Sequence, residues 1–378
     1  MLLVLTFISV SFLAFSNGAN DNFKGVATLF GSKTLNYKSA LSWATISTLA
    51  GSVAAFFLAS KLLVNFSGKG LIPEEVISLS AFPISIALAA SVTVFLATRF
   101  GFPISTTHAL TGALIGVGLV SSTHEINYSK LSGSFFSPLL ISPLISIFLA
   151  LILYPVFKRT KESFGVKRES CLCVGNVVLA KAPVGFPKGE TAATFSVLSN
   201  CCPDISVGTN ISCEERYQGE VLGVSAKKIL DSLHFISSGA VSFARGLNDT
   251  PKIAAIMLIG NVISPSVSIG LVAAFILIGG LIYSKKVAEK MSNDITEMND
   301  GQGFTANLVT SLVVIFASKL GMPVSTTHVS CGALFGIGAV TKKAHWNSIF
   351  KIILSWVITL PVAIALGFIS FKILNGVI

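Results

Sequence analysis

The segment GFPISTTHALTGALIGVG at residues 101–118 returns almost unchanged at residues 321–338 as GMPVSTTHVSCGALFGIG. Eleven of the eighteen aligned positions are identical, including Pro103 and Pro323 and the run Ser-Thr-Thr-His that follows each proline. A match of this length between two apolar segments indicates an internal duplication. We therefore expect two structural repeats, each carrying one copy of this segment.

Each copy places hydroxyl side chains directly after a proline in the middle of a long apolar stretch. Proline ends an incoming helix, and serine or threonine caps the next one. We therefore predict a discontinuous helix whose second part begins inside the bilayer. The unpaired N–H groups and the positive end of the helix dipole at such a terminus, together with the hydroxyl groups, form an anion site.

The composition indicates a membrane protein rather than a soluble one. Hydrophobic residues make up 52% of the 378 residues, charged residues make up 12%, and the mean hydropathy is +0.79. These values predict an all-α polytopic membrane protein. The net charge of +10 comes mostly from loop lysine and arginine, which is typical of cytoplasmic loops. Nucleic-acid binding would need a continuous basic face, and we do not expect it.

A polar connection at residues 158–225 divides the chain into two membrane repeats at residues 1–157 and 226–378. Basic residues crowd the start of the connection, which predicts a cytoplasmic location for it. The predicted membrane segments are residues 1–16 continuing as 23–30, 40–63, 78–98, 135–157, 229–244, 253–262, 267–284, 304–320 and 348–374, with a broken segment at each duplicated stretch.

Five of the six cysteines fall in the polar connection, and Cys331 lies in the second duplicated stretch. An odd number cannot pair completely, and their spacing is not a standard zinc pattern. We interpret them as reduced thiols or partial disulfides, with a bound metal as the alternative. The five are Cys171, Cys173, Cys201, Cys202 and Cys213.

An Asn-Asp pair lies near the start of each half, as Asn20-Asp21 and Asn248-Asp249. Pro251 follows the second pair, and proline is favoured in the first turn of a helix. We therefore interpret each pair as the cap of a half-helix. Repeats of inverted topology would then bring four helix N-termini together near the bilayer midplane.

A carboxylate near the bilayer centre costs about 2.5–3.5 kcal/mol on insertion scales. Asp21 and Asp249 therefore predict a compensating cation, and both Na⁺ and H⁺ satisfy the requirement. An anion site and a cation site side by side stabilise each other, so the half-loaded protein reorients poorly and coupled transport follows. We interpret His108 and His328 as structural, and Gly112, like the other glycines of these stretches, as a site of close helix packing.

At these motifs the chain resembles the inorganic phosphate transporter (PiT) family of membrane symporters. The resemblance rests on residues 18–21, 103–108, 246–249 and 323–328, and it covers both halves but not the connection. It implies secondary active uptake of inorganic phosphate with Na⁺ or H⁺ across the cell membrane, without an organic cofactor. It also implies two inverted repeats with broken helices, extracellular termini and a homodimer.

The resemblance also implies the roles of individual residues. Na⁺ is the favoured coupling ion, bound at Asp21 and Asp249, with H⁺ as the alternative. Because some relatives are similar to sulfate permeases, sulfate stays an alternative substrate. The positions that match phosphate ligands are Asn20, Ser105, Thr106, Thr107, Asn248, Ser325, Thr326 and Thr327.

The chain departs from the family pattern beside both Asn-Asp motifs. Lys24 and Lys252 stand where the family usually has asparagine, three residues after the aspartate. Arg245 stands for the usual histidine before the second motif, and Leu247 replaces alanine. These changes leave the choice and number of coupling cations open. Each lysine could reach an anion or extend to the membrane interface, and we favour the second alternative.

Two other classes of protein fit parts of this pattern. A passive anion channel would use similar helix dipoles but would not need two buried aspartates. An intramembrane hydrolase could use Ser105, His108 and Asp21, but every component occurs twice, and Ser105 lies only three residues from His108. We therefore expect a transporter and not an enzyme.

Overall fold

The computed structural model describes residues 2–120, 126–164, 170–176, 203–209, 222–259 and 263–377. The chain forms two compact units. One consists of Met1–Pro155 together with His234–Ile378, and the other is Val156–Leu233.

Helices of very different length follow one another in the first part of the chain. They are α1 Leu2–Asp21, a 3-10 helix at Asn22–Val26, α2 Ala27–Gly31, α3 Tyr37–Leu58, α4 Ser60–Phe66, α5 Glu74–Ile77, α6 Ala81–Arg99, α7 Thr106–Val120, α8 Tyr128–Lys130, a π-helical segment at Leu131–Phe136 and α9 Ser137–Ser163.

The second part of the chain has fewer and longer helices. They are α10 Ala226–Met257, α11 Pro265–Tyr283, α12 Lys285–Asn293, α13 Asp300–Leu320, α14 Thr326–Thr341 and α15 Trp346–Val377.

Within the described residues, seven helical segments are long and apolar enough to cross a membrane. Large apolar side chains are exposed along them, for example Leu144 and Phe148 on α9 and Val357 on α15. Such surfaces are stable against lipid rather than water. The prediction of a polytopic helical membrane protein is confirmed. The seven segments are Leu2–Gly31, Tyr37–Leu58, Ala81–Arg99, Tyr128–Ser163, Pro265–Tyr283, Asp300–Leu320 and Trp346–Val377.

The second unit contains a three-stranded antiparallel sheet that the sequence did not lead us to expect. Its central strand β1 (Ser170–Asn176) pairs with β2 (Pro203–Thr209) on one side and with β3 (Leu222–Ser225) on the other. Cys171 and Cys173 lie on β1, whereas Cys201, Cys202 and Cys213 lie outside the described residues. Cys331 is buried and forms no disulfide.

Both duplicated stretches interrupt a helix, as predicted. Gly101 and Gly321 have φ of 74° and 77°, a left-handed conformation that glycine adopts without strain, and each ends the preceding helix. The next helix begins after Ser105 or Ser325, whose hydroxyl accepts a hydrogen bond from the N–H three residues later, at 3.1 Å and 3.2 Å. Two helix N-termini therefore begin within the protein interior.

The Asn-Asp pairs do not cap half-helices, and this prediction is wrong. Helix α1 continues through Asn20 to Asp21 and passes into the 3-10 helix, and α10 runs unbroken through Asn248 and past Pro251. A continuous helix keeps nearly all backbone groups paired inside the membrane, and one proline is tolerated there. Residues 229–257 of the predicted segments 229–244 and 253–262 accordingly lie in one helix, and residues 260–262 lie outside the described residues. The described residues provide two such N-termini at the duplicated stretches, not the predicted four.

The glycines of the two stretches allow close helix packing, as predicted. A Cβ atom added at Gly112 on α7 would lie 2.8 Å from the carbonyl oxygen of Leu360 on α15. A Cβ atom at Gly332 on α14 would lie 2.8 Å from the carbonyl oxygen of Pro143 on α9. Each short helix is thus packed against the last long helix of the other half of the chain.

A candidate anion and cation site

Two aspartate–lysine pairs lie at the centre of the helical unit. Asp21 and Lys24 lie at the end of α1 and just after it, and Asp249 and Lys252 lie on α10. All four side chains are at most 4% exposed. Lysine and aspartate are almost never buried this deeply unless they are paired, and each lysine contacts the aspartate three residues before it.

The Lys24 ammonium is surrounded by oxygen atoms. It donates to Asn20 Oδ1 at 2.6 Å, to the Ile104 carbonyl at 2.8 Å and to Thr327 Oγ1 at 2.8 Å. It also contacts the Asp21 carboxylate. Ile104 lies in the break between α6 and α7, where its carbonyl lies outside both helices. The shell therefore combines a carboxylate, a free backbone carbonyl, a hydroxyl and an amide oxygen.

The Lys252 ammonium, in the second half of the chain, has a matching shell. It donates to Thr107 Oγ1 and to the Val324 carbonyl, both at 2.8 Å, and lies 3.4 Å from Asp249 Oδ1. Val324 occupies the same position in the second break as Ile104 does in the first. The two lysines are thus bound in nearly the same way.

The lysine of each half binds a threonine hydroxyl group of the other half. Lys24 of the first half binds Thr327 of the second, and Lys252 of the second half binds Thr107 of the first. The same threonines donate to the free carbonyls, Thr327 to Ile104 at 2.9 Å and Thr107 to Val324 at 3.2 Å. The two halves therefore interlock at the site.

The favoured interpretation of the lysines is wrong. We expected Lys24 and Lys252 to extend to the membrane interface, but their side chains are 0% and 1% exposed and bind the two breaks. A lysine needs to extend to the interface only when the protein interior offers its ammonium group no partner. Here a carboxylate and free carbonyls provide those partners inside the protein.

The two carboxylates have different neighbours. Asp21 accepts hydrogen bonds from Asn17 Nδ2 at 3.0 Å and from Thr106 Oγ1 at 3.3 Å. Asp249 accepts one from Asn248 Nδ2 at 2.8 Å, and its contact with Thr326 Oγ1 is long, at 3.5 Å. The first carboxylate is therefore held more firmly than the second.

The asparagines of the motif fasten the broken segments to the helices. Asn20 Nδ2 donates to Thr98 Oγ1 at 2.8 Å and to the Phe102 carbonyl at 3.0 Å. Asn248 Nδ2 donates to the Val324 carbonyl at 3.2 Å, and Ser318 Oγ donates to Asn248 Oδ1 at 3.2 Å. Their role as phosphate ligands stays a prediction, since their amide groups are engaged within the protein.

The six hydroxyl residues proposed as phosphate ligands are all buried, with at most 3% of each residue exposed. Two of them cap helices, two face the aspartates, and two bind the lysines. In that order, they are Ser105 and Ser325, Thr106 and Thr326, and Thr327 and Thr107. The structure thus brings all of them to one region, beside both aspartates.

The two histidines pack against each other across the interlocked halves. The ring centroids of His108 and His328 are 4.4 Å apart, and His328 stacks on Trp356 at 3.8 Å. Trp356 Nε1 in turn donates to the Pro103 carbonyl at 3.1 Å. These rings support the start of both short helices.

Arg245 is a site residue whose role we did not predict from the sequence. It lies on α10, its side chain is 2% exposed, and its Nη1 is 3.6 Å from Asp21 Oδ1. That distance is too long for a hydrogen bond. Among the residues that the structure describes, none of the three guanidinium nitrogens has a hydrogen-bond partner. The available signal was a charged residue four positions before the motif aspartate, within an apolar stretch.

The charges of this region do not balance. Counted by their usual charges at neutral pH, Lys24, Lys252 and Arg245 contribute three positive charges, and Asp21 and Asp249 contribute two negative charges. With neutral histidines, the described centre has one positive charge in excess. A buried guanidinium without acceptors is costly, so both the charge and the unpaired donors fit an anion that binds at this point.

Comparisons with known proteins identify the family and the fold of the chain. The sequence profile described as "Phosphate transporter family" matches residues 17–367. A candidate phosphate permease of Pyrococcus abyssi is 29% identical over 98% of both chains, and one of Haemophilus influenzae is 27% identical over 97% of this chain and 95% of its own. A solved structure described as "The sodium-dependent phosphate transporter" is similar over the whole of both chains, with a TM-score of 0.76 at 20% identity. The last likeness supports the fold.

Proposed function

The chain belongs to the phosphate transporter family, and on this premise we propose that it carries inorganic phosphate across the membrane in symport with a cation. The family consists of transporters, so the hydrolase alternative is set aside. The protein crosses the membrane several times, which a transporter requires.

The observation that carries the proposal is the buried guanidinium of Arg245, which has no hydrogen-bond partner among the described residues. Its planar fork of N–H donors matches two oxygens of a phosphate group, and no described residue accepts a hydrogen bond from it. The excess of one positive charge around it matches a singly charged anion such as H₂PO₄⁻. Phosphate bound at Arg245 would therefore satisfy both the donors and the charge.

The Asp21 carboxylate beside Arg245 favours phosphate over sulfate. H₂PO₄⁻ carries hydroxyl groups that must donate a hydrogen bond when water is removed, and the carboxylate 3.6 Å from Arg245 is an acceptor. Sulfate has no proton to donate, and it would bring an oxygen against the negative carboxylate. Sulfate stays the alternative substrate, which a competition experiment tests.

Hydroxyl groups and helix termini complete the proposed phosphate site. The residues that we propose as its ligands begin α7 and α14, where backbone N–H groups and the helix dipole favour an anion. Asn20 and Asn248 would contribute after their present hydrogen bonds are exchanged. The proposed hydroxyl ligands are Ser105, Thr106, Thr107, Ser325, Thr326 and Thr327.

Coupling requires a cation near the two aspartates. The sequence favours Na⁺, with H⁺ as the alternative, and Asp21 and Asp249 are the carboxylates that either ion would use. The protein in the similar solved structure is described as sodium-dependent, which supports Na⁺ as the first ion to test. In this chain a lysine ammonium already contacts each carboxylate, so a mobile cation would compete with a tethered one.

The proposed arrangement in the membrane follows the repeats. Residues 1–157 and 226–378 form two repeats of inverted topology in the cell membrane, and residues 158–225 form a connection on the cytoplasmic side. This orientation rests on the basic residues at the start of the connection. Extracellular termini and a homodimer complete the proposal and rest on the resemblance to the family.

The experiment that tests the function is uptake of labelled phosphate into proteoliposomes. An inward Na⁺ gradient and an inward proton gradient are imposed separately, with sulfate as competitor. We expect phosphate to accumulate above its equilibrium level under at least one gradient, with little inhibition by sulfate. Equilibration without accumulation would indicate a passive anion channel, and strong sulfate inhibition without phosphate uptake would contradict the assignment of the substrate.

A further inference from the structure

The oxygen atoms around each lysine form the kind of shell that a small metal cation uses. Around Lys24 Nζ they come from a carboxylate, an amide, a hydroxyl and the backbone carbonyl of Ile104 in the helix break. Hard oxygen ligands, with carbonyls from unwound backbone among them, bind Na⁺ in transporters built from broken helices. The ammonium group lies in the middle of this shell.

The same shell is built a second time around Lys252. Its carboxylate, hydroxyl and carbonyl oxygens come from the equivalent positions Asp249, Thr107 and Val324. The duplicated halves thus keep one arrangement, each occupied by a lysine nitrogen, and this recurrence indicates a common role.

We infer that the ammonium groups of Lys24 and Lys252 occupy the two cation positions as tethered cations, so that phosphate binding does not require Na⁺. The inference rests on the proposed function and concerns its coupling ion. Each ammonium supplies the positive charge that the neighbouring aspartate needs. A mobile cation would have to displace an ammonium group that belongs to the same chain, three residues after the aspartate that it contacts.

The surrounding charges also oppose an added Na⁺ ion, which leaves H⁺ as the coupling cation of the proposed symport. A Na⁺ ion near Asp21 would lie beside the Lys24 ammonium and the Arg245 guanidinium, which is 3.6 Å from the same carboxylate. Near Asp249 it would meet Lys252. Like charges at such distances repel strongly where water is excluded. The two carboxylates are already compensated by three fixed positive charges.

The lysines have no donors left for phosphate. An ammonium group has three N–H bonds, and Lys24 Nζ already has four oxygen neighbours. Lys252 Nζ has three such neighbours. Arg245 is the opposite case, since its nitrogens have no acceptor among the described residues. The lysines therefore act as cations of the scaffold, and the arginine is the group left for the anion.

The first arm of the test needs no phosphate. The melting temperature of the purified protein is measured in NaCl and in choline chloride at equal ionic strength, for the wild type, for Lys24→Asn and Lys252→Asn, and for Lys351→Asn. Lys351 is an exposed lysine on α15 and serves as the matched control. We expect no Na⁺-specific shift for the wild type or the control, and a Na⁺-specific rise of several degrees for each site variant, whose vacated oxygen shell admits the ion.

The second arm measures binding of labelled phosphate in the same two salts. We expect equal affinity for the wild type in both. For Lys24→Asn we expect at least tenfold weaker binding in choline chloride and recovery in NaCl. Loss of binding that Na⁺ does not restore would assign the lysine to phosphate and overturn the inference.

The wild type alone decides the matter if the variants fail to fold. A Na⁺-specific rise in its melting temperature, or phosphate binding that requires Na⁺, would overturn the inference. If the wild type binds no phosphate in either salt but shows no Na⁺-specific shift, the proposed function fails while the assignment of the lysines stands.

Discussion

The two halves of the site have the same arrangement around their lysines, but they differ in the residue that precedes each motif aspartate by four positions. Four residues before the motif aspartate, the first half has Asn17 and the second has Arg245. Asn17 donates to Asp21 and, at 2.9 Å, to Thr106, so its amide nitrogen is fully used. Arg245 makes no hydrogen bond to a described residue, and the carboxylate near it is Asp21 of the other half rather than Asp249 of its own.

This difference indicates a division of labour within a duplicated scaffold. The oxygen shells of the two lysines are nearly the same in both halves. This sameness agrees with a structural role for both ammonium groups. The position of Asn17 and Arg245 is the point at which the copies differ in charge. We therefore propose that the first half closes the scaffold and that the second half supplies the group that binds phosphate.

The largest expected effect comes from the residue in which the halves differ. Arg245→Gln removes the charged fork and should weaken phosphate binding about 100-fold or more, because charge-assisted hydrogen bonds to a buried anion are lost. Isothermal titration with phosphate measures the change. The mirror substitution Asn17→Ala is the control and should weaken binding only a few-fold, since it removes neutral hydrogen bonds within the scaffold.

Arg245→Lys separates charge from geometry in the same assay. It should recover part of the affinity but not all, because an ammonium lacks the planar pair of donors. Equal losses for Asn17→Ala and Arg245→Gln would show that the two halves contribute alike and would contradict the division of labour.

A smaller but still severe effect is expected at the aspartates. Asp21→Asn and Asp249→Asn should each reduce phosphate uptake into proteoliposomes at least tenfold, because a lysine loses its carboxylate partner. Asp21→Asn should be the worse of the two, since Asp21 also lies beside Arg245 and accepts from Asn17. Normal uptake by both variants would remove the carboxylates from the coupling mechanism.

The smallest effect is expected at the hydrogen bonds between the lysine of one half and the threonine of the other. Thr327→Val removes one oxygen from the shell of Lys24 and should lower stability by about 1 kcal/mol. A double-mutant cycle on thermal stability should show coupling between Thr327→Val and Lys24→Asn. The matched pair Thr327→Val and Lys252→Asn lies within one half and should be additive. Coupling within the half but not between the halves would contradict the interlocked arrangement.

The sequence predicted the features that depend on local chemistry. A proline followed by Ser-Thr-Thr was enough to locate both breaks, because turn and cap preferences act within a few residues. Asn248 and Asp249 misled us because Pro251 is equally compatible with a helix start and with a tolerated proline inside a membrane helix.

The features that the sequence did not predict depend on distant contacts. Lys24 finds a partner 303 residues away at Thr327, and no local pattern reveals that distance. Without such a partner, extension of the side chain to the interface was the reasonable expectation. Arg245 could be recognised in sequence as an unusual charge, but not as a group without a hydrogen-bond partner, since hydrogen bonding is a property of the folded site.

The most direct test of the central claim is a crystal structure with bound arsenate, an analogue of phosphate whose anomalous scattering locates it. We predict an anomalous peak within hydrogen-bonding reach of the Arg245 guanidinium and beside Asp21, with Lys24 and Lys252 still in their oxygen shells. A peak at the lysines, with Arg245 left without a partner, would contradict the account.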